Sequence, residues 1–333
     1  MRLNGVGFLF VFSSIVLLFG AADAAEFKLA LPLGLQEQAA NIPDDNPITA
    51  EKVALGKMFF WDKRWSRNGT VACVSCHEPT HGWADRRQFS VRFDGNQTPR
   101  HSPTLVNRLF SDDQQWTGAR TSLEDQAMKA SDQSPELIVK NLGAIPEYQE
   151  KFRKVFGTDL NPAGVAKAIA AYERMILSGN SPYDRFQAGD NKALSAAAQR
   201  GLTLFNGKAR CQQCHGGFNF TDEGYHNIGV GMEKENTDWG RFTLTKKDSD
   251  RGKFKTPTLR DVATHPPYMH DGSQKTLEEV VAFYNKGGIK TAWLSETVQP
   301  LNLSAAEQAD LVEFLKSLTG EVAAEIASPP RLP

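Results

Sequence analysis

Apolar residues recur at helical spacing in several stretches of the chain, and each stretch opens with residues suited to capping a helix. Thr49 precedes a run carrying Val53, Leu55, Met58 and Phe59. Ser122 and Asp125 make an S-x-x-D start ahead of Ala127 and Met128. Asn161-Pro162 joins a cap to a first-turn proline and leads into Val165, Ile169, Tyr172, Met175 and Ile176 on one face. Thr276 with Glu279, and Ser304 with Glu307, read as capping boxes; the second opens a run with Leu311, Phe314, Leu315 and Leu318. Alternating, strand-like patterns are few. The pattern predicts a mainly α fold.

The first 25 residues break the pattern. Val6 to Gly20 is almost wholly apolar, Arg2 precedes it, and Ala22-Asp-Ala24 supplies small residues for cleavage. This predicts a secretory signal peptide over 1–25, since a run of about 15 residues is short for a membrane span. No later stretch is long and apolar enough to cross a bilayer, so the mature protein is expected in the periplasm without a membrane anchor. Ser178-Gly-Asn-Ser-Pro182 and Gly189-Asp-Asn191 read as a linker. They divide the chain into an N-terminal domain, 26–185, and a C-terminal domain, 186–320. Residues 216–256 are rich in Gly, Asp and Asn and are expected to form loops. The tail 321–333, with Ser328-Pro-Pro, is expected to be disordered. No internal repeat is visible beyond the motif described next.

The chain has 333 residues, 40% hydrophobic and 23% charged, with a formal net charge of −1. That length fits two domains, and nothing in the charge balance points to nucleic acid or an acidic membrane surface as a partner. The chemistry lies in the four cysteines. They form two pairs, Cys73/Cys76 and Cys211/Cys214, and each pair runs directly into a histidine, His77 and His215. Disulfides and a four-thiolate zinc site are the alternatives for four cysteines in an exported chain. The adjoining histidines favour c-type haem instead. In Cys-x-x-Cys-His both thiols bond the haem vinyl groups and the imidazole ligates the iron. Two such motifs, using every cysteine, predict two covalently bound haems, one per domain.

Several segments in order resemble the bacterial di-haem cytochrome c peroxidases: Leu55–Phe60 (LGKMFF), Arg64–Gly69 (RWSRNG), Cys73–His77, Ser102–Asn107 (SPTLVN), Phe254–Val262 (FKTPTLRDV) and Pro267–Gly272 (PYMHDG). The resemblance spans about residues 45–318. It implies two cytochrome c-like, mainly helical domains packed together, with peroxide handled at the first haem and electrons relayed by the second. It also implies a tryptophan between the haems, which falls on Trp116. Gln126 and Glu136, ten and twenty residues further on, match polar residues of the family's peroxide pocket, and a glutamate there would move a proton during O–O cleavage. Read from the sequence alone, Glu136 also suits the first turn of a helix.

Three positions depart from the conventional peroxidases. Sixteen residues after His77, where they carry a histidine that blocks the first iron, stands Phe93. The first site is therefore expected to be open without prior reduction. Fourteen residues after His270, where they carry a methionine ligand, stands Tyr284. This resembles the MauG-like branch, whose members oxidise tryptophan in a partner protein. A phenolate oxygen is a hard donor that favours oxidised iron, whereas methionine favours reduced iron; Met269 and Met232 are rival ligands, and Tyr284 also fits a core face with Leu277, Val280 and Val281. The family's calcium ion would take backbone carbonyls at His265 and Pro267, but its asparagine position holds His101, a poor partner for a hard cation; Asn107 or water is the substitute.

The expected activity is thus a MauG-like, hydrogen peroxide-dependent oxidation of aromatic residues in a partner protein. The alternatives are a detoxifying peroxidase fed by a small redox protein, and a plain di-haem electron carrier.

Overall fold

The computed structural model describes residues 27–130 and 135–333. The signal-peptide expectation over 1–25 lies outside the described residues. Among them no helix is long and apolar enough to cross a membrane.

The fold is mainly helical. The helices are α1 (Ala50–Trp61), α2 (Leu123–Lys129), α3 (Pro135–Gly143), α4 (Pro146–Phe156), α5 (Pro162–Glu173), α6 (Pro182–Gln187), α7 (Ala196–Asn206), α8 (Phe242–Thr245), α9 (Leu277–Asn285), α10 (Ala305–Lys316) and α11 (Ala324–Ala327). The sheet is one antiparallel pair, β1 (Tyr225–His226) against β2 (Phe254–Lys255). The caps fall where the sequence puts them. Thr49, Ser122, Asn161, Thr276 and Ser304 each accept a hydrogen bond from the backbone N–H three residues on. Ser304 and Glu307 complete a reciprocal box. Thr276 does not: the Glu279 carboxylate accepts from the backbone of Lys275, one residue before the cap.

Two large apolar cores, with a smaller third around Leu109, Phe110 and Leu177, organise the described residues. One gathers Leu55, Phe59, Phe60, Trp83, Tyr148, Phe152, Val165, Ile169 and Tyr172. The other gathers Phe205, Phe220, Leu277, Val281, Leu311, Phe314 and Leu318. Each contains a helix pair in close contact, α1 with α5 and α7 with α10, and each contact turns on a glycine. A Cβ on Gly56 would lie 1.8 Å from the Ala168 carbonyl oxygen, and one on Gly201 would lie 2.0 Å from that of Asp310. Only the missing side chain lets these backbones approach so closely.

The expected linker is packed. Ser178, Gly179 and Ser181 are buried, the Asn180 N–H donates to the Leu33 carbonyl, and the Glu321 N–H donates to Gly179. Just beyond it, Asp184 and Arg260 form a buried bidentate ion pair, 2% and 1% exposed, with bonds of 2.9 and 3.0 Å. The guanidinium also donates to the carbonyls of Phe218 and Gly34. The expected disorder of the tail 321–333 is corrected too. It contains α11, Ile326 is buried in the first core, and the Ile326 carbonyl accepts from the Tyr172 hydroxyl at 2.8 Å. An apolar side chain with a core to fill outweighs the proline-rich composition around it.

Candidate active site

Each Cys-x-x-Cys-His motif folds as a short 3₁₀ turn, Cys73–Ser75 and Cys211–Gln213. In both turns the histidine N–H donates to the carbonyl of the first cysteine, which tucks thiols and imidazole onto one side. Each turn opens on its own cavity. The first, of about 380 Å³, is walled by Cys73, Cys76 and His77. The second, of about 220 Å³, is walled by Cys211, Cys214 and His215. The four thiols are free, and the two pairs line different cavities, an arrangement that does not bring four thiolates to one zinc ion. Burial pushes the Cys211 thiol up to about 12 and raises those of Cys73 and Cys76. Their positions place them against an apolar macrocycle in each cavity.

The histidines are set up as iron ligands. His77 Nδ1 lies 3.2 Å from the Trp83 carbonyl oxygen, and His215 Nδ1 lies 3.0 Å from that of Phe220. A ring nitrogen that donates to a carbonyl fixes the tautomer and leaves Nε2 bare for a metal. Burial depresses both imidazoles, keeping them neutral and ligating. The donor sets therefore fit a covalently bound haem in each cavity.

Trp116 separates the two cavities and lines both, together with His101, Pro103, Thr104, Lys255 and Pro257. Its indole Nε1 donates to the His101 carbonyl at 2.8 Å, and its own carbonyl accepts from Lys255 N at 2.7 Å. The indole is thus clamped between segments of the two halves. His270, which stacks on Phe254 at 3.6 Å, stands 6.4 Å from the Trp116 ring. The buried Lys255 ammonium is pushed down to about 8 by burial and by Arg108 nearby, and it pairs with Glu223 at 2.8 Å. A cationic group on the shared wall suits the carboxylate edge of a haem.

In the first cavity Phe93 is on the wall, and His77 and His101 are the only histidines among the described residues lining it. Gln126 also lines it, its Oε1 accepting from Gln115 Nε2 at 2.9 Å. Glu136 does not join them. It is exposed in the first turn of α3, immediately after the undescribed residues 131–134, and is not among the described residues of the wall. Its helix-start context, Ser134-Pro-Glu, accounts for that position.

The carboxyl that does line the first cavity is Glu173, at the end of α5. It is 6% exposed and its Oε2 has no hydrogen-bond partner. Burial pushes it up to about 8, against the lowering pull of Arg174 and Arg108. Its signal in the sequence was spacing. Glu173 sits four residues after Ile169 and three before Ile176, a lone acid on the apolar face of its helix.

In the second cavity Tyr284 is on the wall with His215, and burial together with the nearby Cys211 and Cys214 raises its phenol. Met269 lines the same cavity; Met232 is not among its described lining residues.

The donors expected for calcium are the backbone carbonyls of His265 and Pro267, while the side chains around them offer nitrogen. His101 turns Nδ1 to the Arg87 carbonyl at 3.2 Å and leaves a buried Nε2, as His265 does; both are nitrogens, where a hard cation needs oxygen. The Pro266 carbonyl, between the two positions named for the ion, is engaged by His81 Nε2 at 2.6 Å. Asn107 is already committed to Ser178 through both its oxygen and its nitrogen.

Residues 50–192 match the family model described as di-haem cytochrome c peroxidase. The methylamine utilization protein MauG of Methylorubrum extorquens is 41% identical over 316 residues, covering 91% of this chain and 88% of that protein. The cytochrome-c peroxidase IdrP1 of Denitromonas iodatirespirans is 40% identical over 336 residues, covering 90% and 88%. The crystal structure of a MauG-like protein associated with microbial copper homeostasis superposes with a TM-score of 0.82 at 32% identity, covering 93% of this chain and 99% of that one. The likeness runs over nearly the whole chain, and this protein belongs to the di-haem cytochrome c peroxidase and MauG family.

Proposed function

We propose that this chain is a periplasmic, MauG-like oxidase, with haem domains over 26–185 and 186–320, that uses hydrogen peroxide to oxidise aromatic residues, tryptophan above all, of a partner protein. In balance, peroxide takes two electrons and two protons to give two waters, and both electrons come from the partner. The haems, when bound, supply the redox chemistry: peroxide reduction at the His77 iron and storage of oxidising equivalents across the pair.

The chain's own residues divide the remaining work. The Trp83 carbonyl holds the His77 ring so that Nε2 faces the iron position. Phe93, with no proton to give and no ligand atom, leaves the peroxide position open. Gln126 supplies an amide to orient peroxide. A carboxyl moves the proton between the peroxide oxygens; family spacing assigns this to Glu136, whereas Glu173 is the acid on the wall. Trp116 provides an indole between the two centres. Tyr284 offers a hard phenolate to the second iron, which favours its higher oxidation states.

The observation that carries this reading is the pairing of Phe93 in one cavity with Tyr284 in the other. The alternative, a detoxifying peroxidase fed by a small redox protein, is favoured by Met269 on the second wall and by 40% identity to a cytochrome-c peroxidase. Steady-state turnover of the holoenzyme with peroxide and a reduced small cytochrome or cupredoxin separates the two. The proposal expects slow consumption of such donors. Rapid, saturating turnover would make this a detoxifying peroxidase.

A further inference from the structure

A second line of oxidisable rings, separate from Trp116, starts at the first site. His77 Nδ1 is bonded to the Trp83 carbonyl at 3.2 Å, so the ligand imidazole is coupled to Trp83 through one hydrogen bond and a few covalent bonds. The Trp83 indole is 2% exposed and meets the Tyr172 ring edge-on at 6.3 Å. The Tyr172 hydroxyl accepts from Trp61 Nε1 at 3.3 Å. Trp61, the last residue of α1, is partly exposed. Three rings of low oxidation potential thus run from the proximal ligand to the surface.

Electron tunnelling falls off exponentially with distance, so rings in contact pass a charge far faster than one long jump can. We propose that Trp83, Tyr172 and Trp61 form an escape path: in the absence of a docked partner, an oxidising equivalent at the first site is discharged through them to a soluble one-electron reductant, such as ascorbate. This goes beyond the proposed function but rests on it, since peroxide at the first site must supply the oxidant.

The step balances as an electron transfer. One electron leaves the Trp61 indole and moves inward through Tyr172 and Trp83 to fill the deficit at the first site. The soluble reductant then returns one electron to Trp61. Protons keep the balance: ascorbate gives up one proton with each electron, and one proton per electron is taken up at the oxygen that peroxide leaves at the first site. Tyr172 acts as a bridge rather than a resting place. Its hydroxyl donates to the Ile326 carbonyl at 2.8 Å, a weak base that cannot take the proton an oxidised phenol must release. Both indoles can hold the charge without losing a proton.

The test treats the holoenzyme with peroxide in the absence of partner protein and follows formation and decay of the oxidised state separately, with and without ascorbate, in wild type, Trp61→Phe and Trp61→Tyr. Rapid-freeze EPR and peptide mapping report on Trp61 itself. The expected result is normal formation in all three proteins. Ascorbate speeds decay several-fold in wild type, little in Trp61→Phe, and again in Trp61→Tyr, which restores an oxidisable ring. Excess peroxide without ascorbate leaves oxygenated Trp61 in wild type. Normal formation with equal decay in wild type and Trp61→Phe, and an unmodified Trp61, overturns the path while leaving the proposed function standing. No oxidised state in any of the proteins sinks both.

Discussion

Replacing Glu173 with glutamine isolates the one buried acid among the described residues of the first cavity wall. The rise of its pKa from 4.5 to about 8 corresponds to about 5 kcal/mol of preference for the neutral acid in the folded chain. Because the folded value lies above the unfolded one, the protonated acid's contribution to stability is complete below pH 4.5 and is lost as pH rises through about 8. By pH 7 the loss attributable to this residue is about 3 kcal/mol. Glu173→Gln keeps the shape and stays neutral at every pH, so it should not show that decline. The assay is denaturant unfolding of the holoprotein from about pH 5 to about pH 8, read as the difference between wild type and variant so that other titrating groups cancel. The variant should gain steadily on wild type across this range. A difference that stays constant across it would refute the assignment of a neutral, buried Glu173.

Other variants test the remaining roles. If Glu136 is the acid–base residue, Glu136→Gln should lower the rate of reaction with peroxide by about 10²–10⁴-fold while Glu173→Gln changes it little; the reverse order, read by stopped-flow spectroscopy, moves the role to Glu173. Tyr284→Met should raise the reduction potential of the second haem and make it the easier of the two to reduce, as spectroelectrochemical titration would show; an unchanged potential would point to Met269 as the ligand. Asp184→Ala strands the buried Arg260 guanidinium and should cost about 3–5 kcal/mol in unfolding experiments, most of it recovered by also replacing Arg260. Elemental analysis should find two irons per chain; one calcium per chain, with a Tm that falls on adding a chelator, would support the His265 and Pro267 carbonyls as its donors.

Much of this was legible in the sequence because the signals are local. A cap needs one side chain and a backbone three residues away, so Thr49, Ser122, Asn161 and Ser304 could be placed from residue types alone. Cys-x-x-Cys-His is equally local, and Phe93 and Tyr284, reached by fixed offsets, line the first and second cavities. What escaped depends on distant partners. The segment Ser178–Pro182 has the composition of a linker, yet Leu33 and Glu321 meet it and bury it. The tail looks like a disordered end until Ile326 finds the first core. Glu173 was passed over because a glutamate in a helix is ordinarily solvated, and only tertiary packing places it against a cavity. Glu136 shows the converse, an offset that matches the family on a side chain that stands exposed beside residues 131–134.

The most direct test of the central claim is to add a single equivalent of hydrogen peroxide to the fully oxidised holoprotein, with no reductant, and to record EPR and near-infrared spectra. The account predicts that the ferric signals of both haems disappear together and that a charge-resonance band spanning the two appears, since Phe93 leaves the first site open and Trp116 and Tyr284 let the second share the oxidising equivalents. An oxidised protein that is inert to peroxide and reacts only after one-electron reduction would contradict it.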